Sequence, residues 1–200
     1  FTTTGTRYRG ITNITKNGAT NNGSAGRNVF DQNTVLNNSG SGYFLMGSGS
    51  ADTFSMDLTF NNSGTNNIYI AYTGEEHYIG GDLTVNQSTT GVNTYFYACV
   101  NDTTDLQVDG SVVITNSSAA SNSRVYFPST GDINIDGALN LTNTSSGTNS
   151  YFYITDAAGS SLTVGDSVLV TNNATGITGA YMYFGDNGTI SVTGNARFLN

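Results

Sequence analysis

An amide side chain returns along this chain at Asn13, Asn38, Asn62, Gln87, Asn116, Asn143, Asn172 and Asn200, at intervals of 25, 24, 25, 29, 27, 29 and 28 residues. Each ends a short motif typified by Leu139-Asn140-Leu141-Thr142-Asn143, in which two apolar residues lie two apart and the amide follows two further on. A period of twenty-odd residues is the signature of a solenoid, in which each repeat is one coil that buries its apolar face only by stacking on its neighbours.

Between the amides the apolar residues alternate. The first strand of each coil supplies the pairs Leu58 and Phe60, Leu83 and Val85, Val112 and Ile114, Leu139 and Leu141, Val168 and Val170, then Ala196 and Phe198. Alternation at period two puts both members of a pair on one face, the interior. An aromatic strand follows: Tyr95-Phe96-Tyr97, Arg124-Val125-Tyr126, Tyr151-Phe152-Tyr153 and Tyr181-Met182-Tyr183, with Tyr43-Phe44 and Ile68-Tyr69-Ile70 in earlier coils. With Phe96, Val125, Phe152 and Met182 inward, the flanking tyrosines point outward. A third strand carries Phe54 and Met56, His77 and Ile79, Leu106 and Val108, Ile133 and Ile135, Leu162 and Val164, then Ile190 and Val192. It closes in turns such as Asp109-Gly110 and Asp136-Gly137, residue types suited to tight corners.

Three short strands per coil and no helical period predict an all-β fold, a right-handed parallel β-helix of about seven coils with an internal Asn ladder. Residues 29–200 read as its regular coils in a single domain. Residues 1–28 read as an irregular first coil carrying a loop: Ile11 and Asn13 fit the repeat, but Lys16 to Ala25 is rich in Gly and Asn and offers no clear second strand. An antiparallel β-sandwich also has many short strands, yet it explains neither the period nor the in-register amides.

Composition removes several function classes. Six Lys and Arg against fourteen Asp and Glu give a net charge of −8. Phosphate binding needs clustered bases, so nucleic acid is a poor partner, and a basic membrane-surface contact fails for the same reason. No apolar run approaches the roughly 20 residues that span a bilayer. Cys99 is the single cysteine, so no intrachain disulfide forms. The chain starts at Phe1 without an initiator Met or signal peptide, and the repeat still runs at Phe198 and Asn200; both ends are therefore expected to be uncapped, as in a mature or excised segment.

Across residues 29–200, units such as DGALNLTNTSSGTNSYFYITDAAGSSLTV resemble the repeats of large bacterial surface adhesins of the filamentous-haemagglutinin-like, β-helical type. They are also similar to the repeat regions of very large secreted proteins of the Bacteroidetes kind. The resemblance implies a stalk or fibre at the cell surface or outside the cell, with further repeats or other copies of itself as partners.

The amide column lies two residues beyond an inward position, so its parity places it inside as a brace on the backbone at a bend. The outward Tyr95, Tyr97, Tyr126, Tyr151, Tyr153, Tyr181 and Tyr183 form the candidate surface for a ligand such as a glycan, or for lateral contact with a neighbouring chain. No cofactor is expected. The corner carboxylates Asp82, Asp102, Asp109, Asp136, Asp156, Asp166 and Asp186 read as turn residues, with calcium the one ion they could gather from adjacent coils. Some β-helices are polysaccharide lyases or glycosidases, and the latter need two carboxylates flanking a cleft. Glu75 and Glu76 are the only glutamates and, as strand neighbours, point to opposite sides; His77 reads as a structural imidazole. No catalytic or metal-ligating residue is assigned, and a carbohydrate-active enzyme remains the alternative. A threonine array for ice binding is interrupted, because Thr59 and Thr84 give way to Val113, Asn140 and Leu169.

Overall fold

A computed structural model describes residues 2–101, 103–176 and 179–200, and its described residues form an all-β solenoid of three parallel, eight-stranded sheets. The ladder sheet contains Thr12–Lys16, Thr34–Asn38, Leu58–Asn62, Leu83–Gln87, Val112–Asn116, Leu139–Asn143, Val168–Asn172 and Ala196–Leu199. The aromatic sheet contains Thr2–Thr4, Asn22–Gly26, Phe44–Leu45, Ile68–Ile70, Tyr95–Ala98, Arg124–Tyr126, Ser150–Ile154 and Ala180–Phe184. The closing sheet contains Arg7–Tyr8, Val29–Phe30, Thr53–Phe54, His77–Ile79, Leu106–Val108, Asp132–Ile135, Ser161–Val164 and Thr189–Val192. Each strand pairs with its counterparts one coil before and one coil after, so a side chain meets its equivalent rather than a complement.

That register builds the core from columns. In the ladder sheet Leu36, Phe60, Val85, Ile114, Leu141, Val170 and Phe198 lie in one row. All but Phe198 are buried. In the closing sheet Tyr8 stacks on Phe30 at 4.6 Å and Phe30 on Phe54 at 4.7 Å. Buried Ile79, Val108, Ile135 and Val164 continue the same row. The turns stack too: Gly137 N donates to Gly110 O at 3.0 Å, and Gly194 N to Asp166 O at 2.9 Å. Backbone bonding between coils is thus carried around the corners as well as along the strands.

The structure departs from the sequence reading in three places. Ile11 is 81% exposed and Asn13 is exposed as well, because the first ladder strand pairs Ile14 with Leu36 and Lys16 with Asn38. The Ile11–Asn13 spacing imitates the motif, but it is Ile14 and Lys16 that occupy the inward places. Asn22–Gly26 does form a strand of the aromatic sheet despite its composition. It is made of small residues because Leu45 leans over it: a Cβ on Gly23 would stand 2.6 Å from Leu45 O. Met56, paired with Phe54 by period, is 43% exposed, since the strand ends at Phe54 and the chain turns.

Candidate functional site

The amide column forms a buried brace. Asn38, Asn62, Gln87, Asn116 and Asn143 are fully buried, Asn172 is partly so, and Asn200 is exposed on the last rung. Most of them reach around the corner to the start of the next strand. Asn62 Nδ2 donates to Asn66 O at 3.1 Å, Gln87 Nε2 to Thr94 O at 3.0 Å, and Asn143 Nδ2 to Ser150 O at 3.4 Å. Bonds between coils join some of them: Asn38 Nδ2 donates to Asn62 Oδ1 at 3.2 Å and Asn172 Nδ2 to Asn200 Oδ1 at 3.4 Å. At the N-terminal end Lys16 takes the amide's place. Its ammonium, in a side chain only 4% exposed, donates to Gly18 O at 2.8 Å, Gly42 O at 2.7 Å and Asn38 Oδ1 at 3.4 Å. All three donors are spent on its own corner and on the next coil.

A second row of amides on the outer face, Asn37, Asn61 and Asn86, was missed by sequence reasoning, and Asn13, paired with Val35 in the neighbouring column, reaches its first member. Asn37 Nδ2 donates to Asn13 Oδ1, Asn61 Nδ2 to Asn37 Oδ1 and Asn86 Nδ2 to Asn61 Oδ1, each at 2.9 Å. The repeat of -Asn-Asn- at 37–38 and 61–62 was its signal: one amide of each pair faces in and the other out. Beside it Thr59, Thr84, Val113, Asn140 and Leu169 share one column, so the threonine row is interrupted as the sequence indicates.

The outward tyrosines stand in two columns. Tyr69, Tyr97, Tyr126, Tyr153 and Tyr183 stack ring on ring at 5.1, 4.7, 4.9 and 5.1 Å, with interplanar angles of 4°, 8°, 6° and 9°. The neighbouring column runs Tyr95, Arg124, Tyr151 and Tyr181. There the Arg124 guanidinium lies 5.5 Å from the Tyr95 ring centroid and 5.3 Å from that of Tyr151, a cation between two π faces, and Nη1 donates to Tyr126 Oη at 3.2 Å. Tyr151 and Tyr181 stack at 5.6 Å. Compared with family models, curated proteins and solved structures, the chain matches none.

Tyrosines stacked in register cover one another's faces. Rings at these separations leave edges and hydroxyls toward solvent, whereas a sugar packs its C–H groups on an open aromatic face. Most of these side chains are accordingly half-buried, and only Tyr181 and Tyr183 at the last rung count as exposed. Burial, reinforced by the phenols of Tyr126 and Tyr69, pushes the Tyr97 hydroxyl well above its ordinary range, so it stays protonated as a donor. Tyr69 and Arg124 complete the surface; both lie in the aromatic strands, but only the structure shows that they fill the tyrosine columns.

The corner aspartates bond across coils. Asp82 Oδ1 accepts from Ser111 N at 2.7 Å, Gln107 Nε2 donates to both Asp109 Oδ1 and Asp136 Oδ1 at 3.2 Å, and Tyr78 Oη donates to Asp109. The Asp156 carboxyl is raised above its ordinary range by burial and by Asp186 on the following coil. Asp166 accepts the Gly194 amide through its carbonyl, and Asp102 lies outside the described residues. Among the described residues no three His, Cys, Asp or Glu side chains come together as a metal site would require. Cys99 is buried at a corner of φ 51°, where desolvation holds its thiol well above the ordinary value.

Glu75 and Glu76 are both exposed, while His77 is 1% exposed. Its Nδ1 accepts from Asp52 N at 3.1 Å and its Nε2 lies 3.3 Å from Thr73 O, an atom that can only accept, so the proton sits on Nε2. Desolvation lowers the His77 pKa, against the opposing pull of Thr73 O and Asp52. The unfolded chain therefore binds this proton more readily than the folded one. Its contribution to stability is complete above the ordinary imidazole value of about 6.5 and is lost as pH falls below that toward the lowered folded value. Urea denaturation at pH 7.5 and at progressively lower pH should show this loss, and His77→Gln should flatten it relative to the parent.

Proposed function

We propose that the chain is a structural, non-enzymatic solenoid: a rigid segment of an extracellular stalk or surface fibre whose C-terminal face is covered by a further coil. The observation that carries this is a contrast between the rungs. Phe198 is 59% exposed, whereas Val170 and Leu141, one and two places earlier in the same row, are 3% and 0% exposed. Met182, Phe184, Ile190 and Val192 are likewise only partly covered, and a hollow of about 370 Å³ lined by Val170, Met182 and Phe198 opens beside them. At the other end Lys16 spends its donors inward and closes the column. Apolar surface and a free parallel edge attract a strand of matching register.

The test extends the chain after Asn200 with a second copy of residues 173–200. Amide exchange in Ala180–Phe184 and Ala196–Leu199 should slow, and the unfolding midpoint should rise; unchanged exchange would remove the covered face from the reading. Neutral and acidic polysaccharides incubated with the protein should acquire no new reducing or unsaturated ends. Turnover abolished by Glu75→Gln or Glu76→Gln would overturn the non-enzymatic assignment.

A further inference from the structure

We infer that the chain carries a binding site for one neutral pyranose unit at Tyr43, away from the stacked tyrosines. The tyrosine columns do not run the length of the rod. Below Tyr69 the first column continues as Leu45 and then Gly23, and below Tyr95 the second continues as Asn67, Tyr43 and Asn21. Gly23 has no side chain and Leu45 leans over it, so the outer surface steps down from ring height and leaves a depression of about 210 Å³ lined by Asn21, Gly23, Tyr43, Leu45 and Ser48 among others.

Tyr43 differs from the tyrosines above it in what covers its ring. Tyr97, Tyr126 and Tyr153 each have rings stacked on both faces, and Arg124 covers a face of Tyr95 and of Tyr151. Tyr43 has asparagines before and after it in its column. Its one described ring contact is a perpendicular one, with Tyr69, at 5.9 Å and 89°. Tyr43 therefore retains what the stack has used up, an aromatic face not taken by another ring. Polar groups stand around it. Asn21 Oδ1 accepts from Tyr43 N at 3.0 Å, which fixes the amide and leaves its NH₂ group for a hydroxyl acceptor; Ser48 is exposed on the next corner.

The lining selects the ligand class. It holds amides, a hydroxyl, one aromatic ring and one leucine, and no Lys, Arg, Asp or Glu, so nothing in it would hold a uronate, a sialate or a phosphate. At about 210 Å³ it is smaller than the roughly 300–1,000 Å³ of pockets that enclose drug-sized ligands, which suits a single sugar ring. This site is independent of the stalk proposal and would stand without it.

The experiment is a backbone-amide NMR titration of the 200-residue chain with methyl glycosides of glucose, galactose, mannose and N-acetylglucosamine, and with glucuronate and sialate as charged comparisons. At least one neutral glycoside should produce saturable shifts centred on Asn21, Tyr43 and Ser48. Tyr43→Ala should weaken that binding by roughly tenfold or more, the loss of about one stacking contact. Tyr151→Ala, in the covered part of the sheet, should leave it unchanged. Absence of saturable shifts with every neutral glycoside, shifts that survive Tyr43→Ala, or shifts centred on Tyr95 to Tyr183 would each overturn the assignment.

Discussion

Truncating Phe96 to alanine is expected to lower the free energy of unfolding by about 3–5 kcal/mol, read from urea denaturation at neutral pH. Phe96 is fully buried between Ile68 and Val125 in its row, with Phe127 stacked 6.5 Å away. The size of the effect follows from the geometry of a coil. Strand spacing across a sheet is fixed near 4.8 Å by backbone bonds, so the coils above and below cannot close on the void as two helices might. Phe96→Leu conserves most of the volume and should cost less than about 1.5 kcal/mol. The loss should also be local, because each coil touches only its neighbours. Amide exchange should accelerate in Ile68–Ile70, Tyr95–Ala98 and Arg124–Tyr126 before it does in Thr34–Asn38.

The period, the three strands per coil and the inward pairs were legible because a parallel register places like residues over like, and that leaves a repeat in the sequence. The buried amides were legible by parity alone. Asn13 was not, because Ile11 and Asn13 carry the motif's spacing three residues before the true members, Ile14 and Lys16, and there a lysine stands in place of the amide. Burial of that lysine could be read only once Gly18 O and Gly42 O were seen to converge on it. Outward direction was likewise legible for the tyrosines, but ring stacking was not. Whether a column shows faces or edges depends on side-chain torsions, which the order of residues does not set.

Coil length has a physical source that the amide intervals only hinted at. In the 24- and 25-residue coils a glycine follows the amide by two residues, at Gly40 and Gly64; in the 29-, 27- and 29-residue coils the corresponding Gly91, Ala120 and Gly147 follow by four. The longer corners bury a hydroxyl in each case, Thr89, Ser118 and Ser145, all fully inaccessible. Ser118 Oγ accepts from Ser123 Oγ at 2.9 Å, and Ser145 Oγ lies 2.6 Å from Ser150 Oγ. The added residues thus enlarge the brace from one amide to an amide with two hydroxyls inside the rod.

Gly147→Ala should therefore be among the most damaging single substitutions at the corners of the rod, where Gly147 is buried, with a cost of about 3 kcal/mol at the upper end of the overpacking range. A Cβ at Gly147 would stand 1.8 Å from Ala120 O and 2.5 Å from its carbonyl carbon, backbone atoms of the preceding coil that cannot swing away. Relief requires the corner to lift, and lifting strains the bonds from Gly147 N to Ser145 Oγ at 3.2 Å and from Ser150 Oγ to Gly147 O at 3.4 Å. Buried polar groups left without partners then add to the steric cost. Gly18→Ala is the matched control. Gly18 stands at the first corner, beneath Gly40, and a Cβ there meets nothing within 4 Å. That substitution should be neutral or stabilising by up to about 1 kcal/mol, through the unfolded chain. Denaturation midpoints of the two variants measured side by side separate the explanations: equal losses would mean that glycine is needed for the backbone conformation of the corner, and a loss at Gly147 alone assigns the cost to the approach of one coil to the next.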